Sequence, residues 1–97
     1  MTSKQRSYLK GLAMNIDPIF QIGKSSLTPE ITDAVDEALE ARELIKITIL
    51  KSCMDDSSSI AEILAERTRS QLVQVIGRKI VLYRPAKDEA KRKIQLP

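Results

Sequence analysis

Apolar residues recur along this chain in two alternating rhythms, and the switches between them mark seven elements. Over residues 3–13, Gln5, Tyr8, Leu9 and Leu12 share one face at helical spacing and leave Lys4, Arg6 and Lys10 for the polar side. That predicts a short helix, which Gly11 weakens by about 1 kcal/mol relative to alanine. Asp17-Pro18 signals a turn, and Ile19, Phe20 and Ile22 predict a short buried strand. Residues 23–27 form a loop. Thr28 then serves as a helix N-cap, Pro29 suits the first helical position, and Glu30 complements the helix dipole. Ile31, Ala34, Val35, Ala38 and Leu39 follow on one stripe, so the spacing predicts an amphipathic helix over 29–41.

In residues 44–50 the period drops to two. Ile45, Ile47 and Ile49 line one face of a predicted strand; Leu44, Lys46, Thr48 and Leu50 line the other. Asp55 to Ser58 read as a loop, and Ser59 with Glu62 as a capping box that opens a third helix, with Ile60, Ile63 and Leu64 inward. Helix-start chemistry accounts for Asp55, Asp56 and the serines better than catalysis or metal binding does. Residues 71–76 and 79–84 read as two strands joined by Gly77-Arg78, a pair suited to a type II′ turn. Pro85 ends the last strand. Beyond it, Ile94 and Leu96 are spaced to return a charged tail to a sheet edge.

The predicted order is α-β-α-β-α-β-β. The first two strands are joined through a helix and so are expected to be parallel, with a right-handed crossover; the last two form an antiparallel hairpin. A mixed four-stranded sheet packed with helices, in a single compact α/β domain spanning 1–97, is the simplest solution. There is no internal repeat and no linker.

Composition narrows the function. The chain has 97 residues, one cysteine (Cys53) and no histidine. The missing histidine removes the commonest general base, the commonest zinc ligand and every Ser-His or Cys-His pair, so neither enzyme nor metal chemistry is expected. A lone cysteine forms no internal disulfide and suits a reducing cytoplasm; Cys53 reads as a small core residue. The N-terminus lacks the apolar region of a secretory signal, and no run is long enough to span a membrane.

Charge is segregated. Residues 1–27 carry Lys4, Arg6, Lys10 and Lys24 against Asp17 alone, whereas the middle of the chain is acidic. Residues 70–97 carry Arg78, Lys79, Arg84, Lys87, Lys91, Arg92 and Lys93 against Asp88 and Glu89, and residues 87–97 form a basic C-terminal tail. If the two ends meet in the fold, one face is positive and fits a polyanion; a solvated charged surface without a partner stands beside that reading. The acidic residues Asp33, Asp36, Glu37, Glu40 and Glu43 offer an alternative, a protein-interaction face that docks a basic partner such as a ribosomal protein.

Gly23-Lys24-Ser25 raises the question of a nucleotide. A Walker loop ending there needs glycine at position 18, which is Pro18, so nucleotide hydrolysis is not supported and no cofactor is expected. A shorter loop can still hold one phosphate. Gly23 permits close backbone approach, helix N-terminal amides carry partial positive charge, Lys24 adds a full charge, and Ser25 and Ser26 add hydroxyls. A plain strand-to-helix turn with a solvated Lys24 is the other reading. Only Tyr8, Phe20 and Tyr83 are aromatic, too few for base stacking to dominate, so recognition of an RNA backbone and shape is the consistent mode. Tyr83 is open between core and strand-surface stacking.

Four blocks, "LKGLA" (9–13), "IGKSSLT" (22–28), "ALEARELIKI" (38–47) and "VQVIGRKIVLYRP" (73–85), together resemble the YhbY family of bacterial proteins, the stand-alone form of the CRM (chloroplast RNA splicing and ribosome maturation) domain. The resemblance runs from about residue 3 to 97. It implies a non-catalytic RNA-binding domain similar in fold to the C-terminal domain of translation initiation factor 3, cytoplasmic, acting on ribosomal RNA in precursors of the large ribosomal subunit. It also aligns the family's G-x-x-G loop with Gly23-Lys24-Ser25-Ser26, the second glycine being Ser26 here. Lys46, Gly77-Arg78 and Tyr83-Arg84-Pro85 match further family positions. The expected RNA-contacting residues are Lys4, Lys10, Gly23, Lys24, Ser25, Ser26, Arg78, Lys79 and Arg84, in a protein expected to act as a monomer.

Overall fold

The computed structural model describes residues 1–97 and contains three helices and four strands. They are α1 (Ser3–Ala13), β1 (Phe20–Ile22), α2 (Pro29–Arg42), β2 (Leu44–Ile49), α3 (Ser57–Thr68), β3 (Gln71–Ile76) and β4 (Lys79–Tyr83). The strand order is β1-β2-β4-β3, with β1 parallel to β2 and both pairings of β4 antiparallel. This is the mixed four-stranded sheet that the element order requires.

Alternation along the strands divides the core in two. Ile45, Ile47 and Ile49 of β2 join Ile80 and Leu82 of β4 under α2 and α3, which contribute Val35, Leu39, Ile60, Ala61 and Leu64; Cys53 is buried in this core. On the opposite face, Leu44, Val73, Val81 and Tyr83 pack against Leu9 and Ala13 of α1. The domain is thus three layers, with α1 alone on one side of the sheet and α2 with α3 on the other. Tyr83 is core: burial first, then the nearby Glu43 charge, pushes its phenol above the ordinary range.

Local chemistry sets the element ends. Thr2 and Gln5 close a capping box on α1. Thr28 accepts from the Ile31 amide at 3.2 Å, as an N-cap should, and Pro29 opens α2. The third helix begins earlier than expected: Asp56, not Ser59, is its N-cap, and the Ser59 amide donates to the Asp56 carboxylate at 3.2 Å. A carboxylate accepts more strongly than a hydroxyl and complements the dipole, which moves the start of the helix upstream. At the hairpin Gly77 has φ +55°, whereas Arg78 does not have positive φ, as a type II′ turn demands. In β3 the pairing slips between Leu72 and Gln74, leaving Val73 as a bulge. The Arg6 guanidinium donates to the Leu72 and Val73 carbonyls there, at 2.6 and 3.0 Å. Arg6 therefore closes an exposed sheet edge.

Glu43 is the single residue between α2 and β2. It has φ +67° and is fully buried. Its carboxylate accepts from the amides of Ala86 (2.8 Å), Lys93 (2.6 Å) and Ile94 (2.9 Å). Ile94 and Leu96 pack into the α1-side core. The tail thus lies on the sheet face beside α1, not at a sheet edge, because β1 and β3 form the edges and the buried carboxylate holds the chain elsewhere.

Burial pushes the Glu43 carboxyl up, but the amides of Lys93, Ala86 and Ile94, helped by the Arg92 charge, win and hold it below its ordinary 4.5. A lowered folded value means that the clasp is at full strength above the ordinary value and is lost as pH falls through the lowered one. Amide spectra should therefore show the Ala86, Lys93 and Ile94 signals unchanged from about pH 7 to 5 and shifting together below about 4.5. In Glu43→Ala the same three amides should be unprotected at every pH. Wild-type signals that shift near neutrality would remove Glu43 as the clasp.

Candidate nucleic-acid interface

β1 and β2 are parallel, so the loops that follow them emerge at the same end of the sheet. The β3–β4 hairpin arrives at that end too, since Thr48 pairs with Lys79 and the Ile49 amide donates to the Arg78 carbonyl at 2.6 Å. Three loops, 23–28, 50–56 and 77–78, therefore converge. The Leu50 amide bonds the Ile22 carbonyl at 2.8 Å, and the Arg78 guanidinium reaches the Leu50 carbonyl at 3.3 Å.

The first loop is a tight turn. The Ser26 amide donates to the Gly23 carbonyl at 2.9 Å, which puts Lys24 and Ser25 at its apex, both exposed. The Lys24 and Ser25 amides donate to no protein acceptor. Unused amides, a lysine and a serine hydroxyl at one turn are the kinds of donor from which anion-binding nests are made. Ser26 adopts left-handed φ +54°, the conformation for which glycine is the usual choice. Its hydroxyl donates to the Asp55 carboxylate. Ser26 thus shapes the turn and ties it to the second loop, and its hydroxyl is occupied within the protein. Gly23 has no positive φ, and a methyl group there would meet Ser52 and Leu50 only at 3.4 and 3.5 Å, so the fold does not demand glycine.

Of the residues expected to contact RNA, the structure brings together Gly23, Lys24, Ser25, Ser26, Arg78 and Lys79. Lys51, on the second loop and exposed, joins them; the sequence reading passed over it. Asp55 and Asp56 stand nearby but are engaged with Ser26 and the α3 cap. Between the hairpin and the second loop runs an open groove of about 460 Å³ lined by Met54, Asp55, Asp56, Gly77 and Arg78 among others, so two carboxylates face its one cation. Met54 is 92% exposed, and Ile76 beside the hairpin 61%.

Lys4 and Lys10 are not part of this cluster; they lie on α1, which packs on Leu44, Val73, Val81 and Tyr83. Arg84, expected at the RNA interface, is buried instead. It is 5% exposed and points inward, with Nη1 2.5 Å from the Asp36 carboxylate and 2.8 Å from the Thr68 carbonyl, and Nη2 3.1 Å from the Asp36 carbonyl. A guanidinium buried and turned inward in this way is not presented to an external phosphate. The acidic face of α2 is spent in the same way. Asp36 binds Arg84, Glu40 accepts the Lys87 and Asp88 amides, Glu43 is buried, and only Asp33 and Glu37 remain fully exposed.

The three-layer α/β domain thus gathers exposed cations and free amides at one end of its sheet. Residues 1–84 match the model of the CRS1 / YhbY (CRM) domain, and the chain belongs to that family. Among its relatives, a protein of Bacillus subtilis named "Probable RNA-binding protein YqeI" is 44% identical over 97 residues, covering 100% of this chain and 99% of that one. A Haemophilus influenzae protein named "RNA-binding protein" is 34% identical over 97 residues, covering 100% and 95%. The solution structure of hypothetical protein SAV1595 from Staphylococcus aureus, described as a candidate RNA-binding protein, superposes with a TM-score of 0.81 at 50% identity over 100% of this chain and 99% of that one.

Proposed function

We propose that this protein is a non-catalytic, cytoplasmic RNA-binding domain that acts as a monomer on ribosomal RNA during assembly of the large subunit. The observation that carries the reading is the convergence of three loops, which supports a phosphate grip by Lys24, Lys51, Arg78 and Lys79 with the free amides of Lys24 and Ser25. The names of the full-length relatives support RNA as the partner, and the resemblance to the YhbY family supports its ribosomal origin. Cations and amides grip a phosphate backbone without reading bases, so affinity depends on salt and RNA shape more than on sequence.

In a sucrose gradient of low-salt lysate, the protein should co-migrate with a large-subunit precursor and move to the top after ribonuclease treatment. A protein found only at the top of the gradient without ribonuclease would sink the ribosomal part of the reading.

A further inference from the structure

We infer that the C-terminal segment, residues 87–97, is a second phosphate-binding surface for the same RNA, a preformed cationic strap at the end of the sheet opposite the three loops. The inference rests on the RNA-binding reading above and extends it to residues outside that site.

The strap is built and held by the body of the protein. Glu43 fixes the amides of Ala86, Lys93 and Ile94, and Glu40 takes those of Lys87 and Asp88 at 2.8 and 3.0 Å. The Arg92 Nε donates to the Ala86 carbonyl at 2.8 Å. Ile94 and Leu96 anchor in the α1-side core, and the Gln5 side chain donates to the Pro97 carbonyl at 3.3 Å. A solvated tail would need none of these bonds. Holding it sets the spacing of Lys87, Lys91, Arg92 and Lys93, all of which are exposed.

None of those four cations lies within ion-pair distance of a carboxylate, because both ion pairs in the molecule belong to Arg84. Arg42, also exposed, lines a groove with Lys93. Lys4 and Lys10 belong to the helix whose N-terminal part the strap reaches at Gln5. Unpaired cations in a fixed array fit a repeating polyanion, and an array ordered in advance loses less entropy on binding. The clasp residues Glu43 and Glu40 flank the start of β2, whereas the loops lie past its end, a six-residue strand of about 20 Å away. One RNA backbone several phosphates long can touch both.

The test compares two RNA hairpins. A stem of about 5 base pairs is shorter than the strand that separates the two ends and reaches one end only; a stem of about 15 spans both. The slope of log affinity against log salt should be steeper for wild type on the long stem than on the short one. The triple variant Lys87→Ala, Lys91→Ala, Lys93→Ala keeps every backbone bond and should melt as wild type does. It should lose that length dependence, its long-stem slope falling by about 2–3 units. A triple variant that retains the wild-type length dependence overturns the strap but leaves the loop site standing. So does one that binds both stems as wild type does while losing capture of an acidic protein, since the strap would then serve a protein partner. Wild type that binds neither stem overturns the RNA reading itself.

Discussion

Replacing Arg84 with alanine is expected to destabilise the fold by about 3 kcal/mol, the low end of the range for breaking a buried ion pair. The guanidinium ties β4 to α2 through Asp36 and to the end of α3 through the Thr68 carbonyl, so its loss leaves acceptors on both helices without a partner. The Asp36 side chain is 44% exposed, and water can hydrate the abandoned carboxylate, which keeps the effect from the top of the range. The Arg84 Nε is itself buried without a partner, so the native arrangement is already short of ideal. Lysine at 84 restores the charge but not the two-pronged geometry, and should recover only part of the loss. Urea unfolding measures both variants. RNA titration of the folded protein in low denaturant then separates structure from binding: the salt slope should equal that of wild type. A folded Arg84→Ala with a shallower slope would return Arg84 to the interface.

The opposite pattern is expected when Lys24, Lys51, Arg78 and Lys79 are all replaced by alanine. Each side chain is exposed, so stability should change by no more than about 0.5 kcal/mol per site. Binding should suffer heavily. If each cation neutralises one phosphate of a single strand, the salt slope becomes shallower by roughly 0.7 per site, close to 3 units in all. Single substitutions should each account for about a quarter of that change. Unchanged slope and affinity in the fourfold variant would show that the converging loops are not where RNA binds.

The two predictions divide residues that look alike in one dimension. Arg78 and Arg84 are six positions apart in one basic block. Only tertiary contacts, with Asp36 and Thr68 far upstream, tell a buried structural arginine from an exposed one. The helices and strands were legible because their signals are local: the stripe from Ile31 to Leu39, the alternation from Leu44 to Leu50, the Gly77-Arg78 turn. The third helix starts early because the Asp56 carboxylate accepts the Ser59 amide and caps the helix one turn upstream of the serine expected to do so. Glu43, placed by its sequence on an acidic surface, is buried for a different reason. A glutamate at the end of an acidic helix reads as solvated, and the amides that bury it come from more than forty residues downstream. Lys51 could have been found: once β1 and β2 are taken as parallel neighbours, their following loops must lie side by side, and a lysine just past β2 stands next to Lys24.

The strand order also bears on how the protein is made. β4 is flanked by β2 and β3, yet its last residue, Tyr83, is synthesised 34 positions after Ile49. At about 5–20 residues per second, the nascent chain waits roughly 2–7 s with one side of β2 unpaired. Neither core can close before β4 has been synthesised, because Ile80 and Leu82 complete one and Val81 and Tyr83 the other. A chain stalled before Lys79 would therefore present an open strand edge to the quality-control machinery rather than a stable smaller domain.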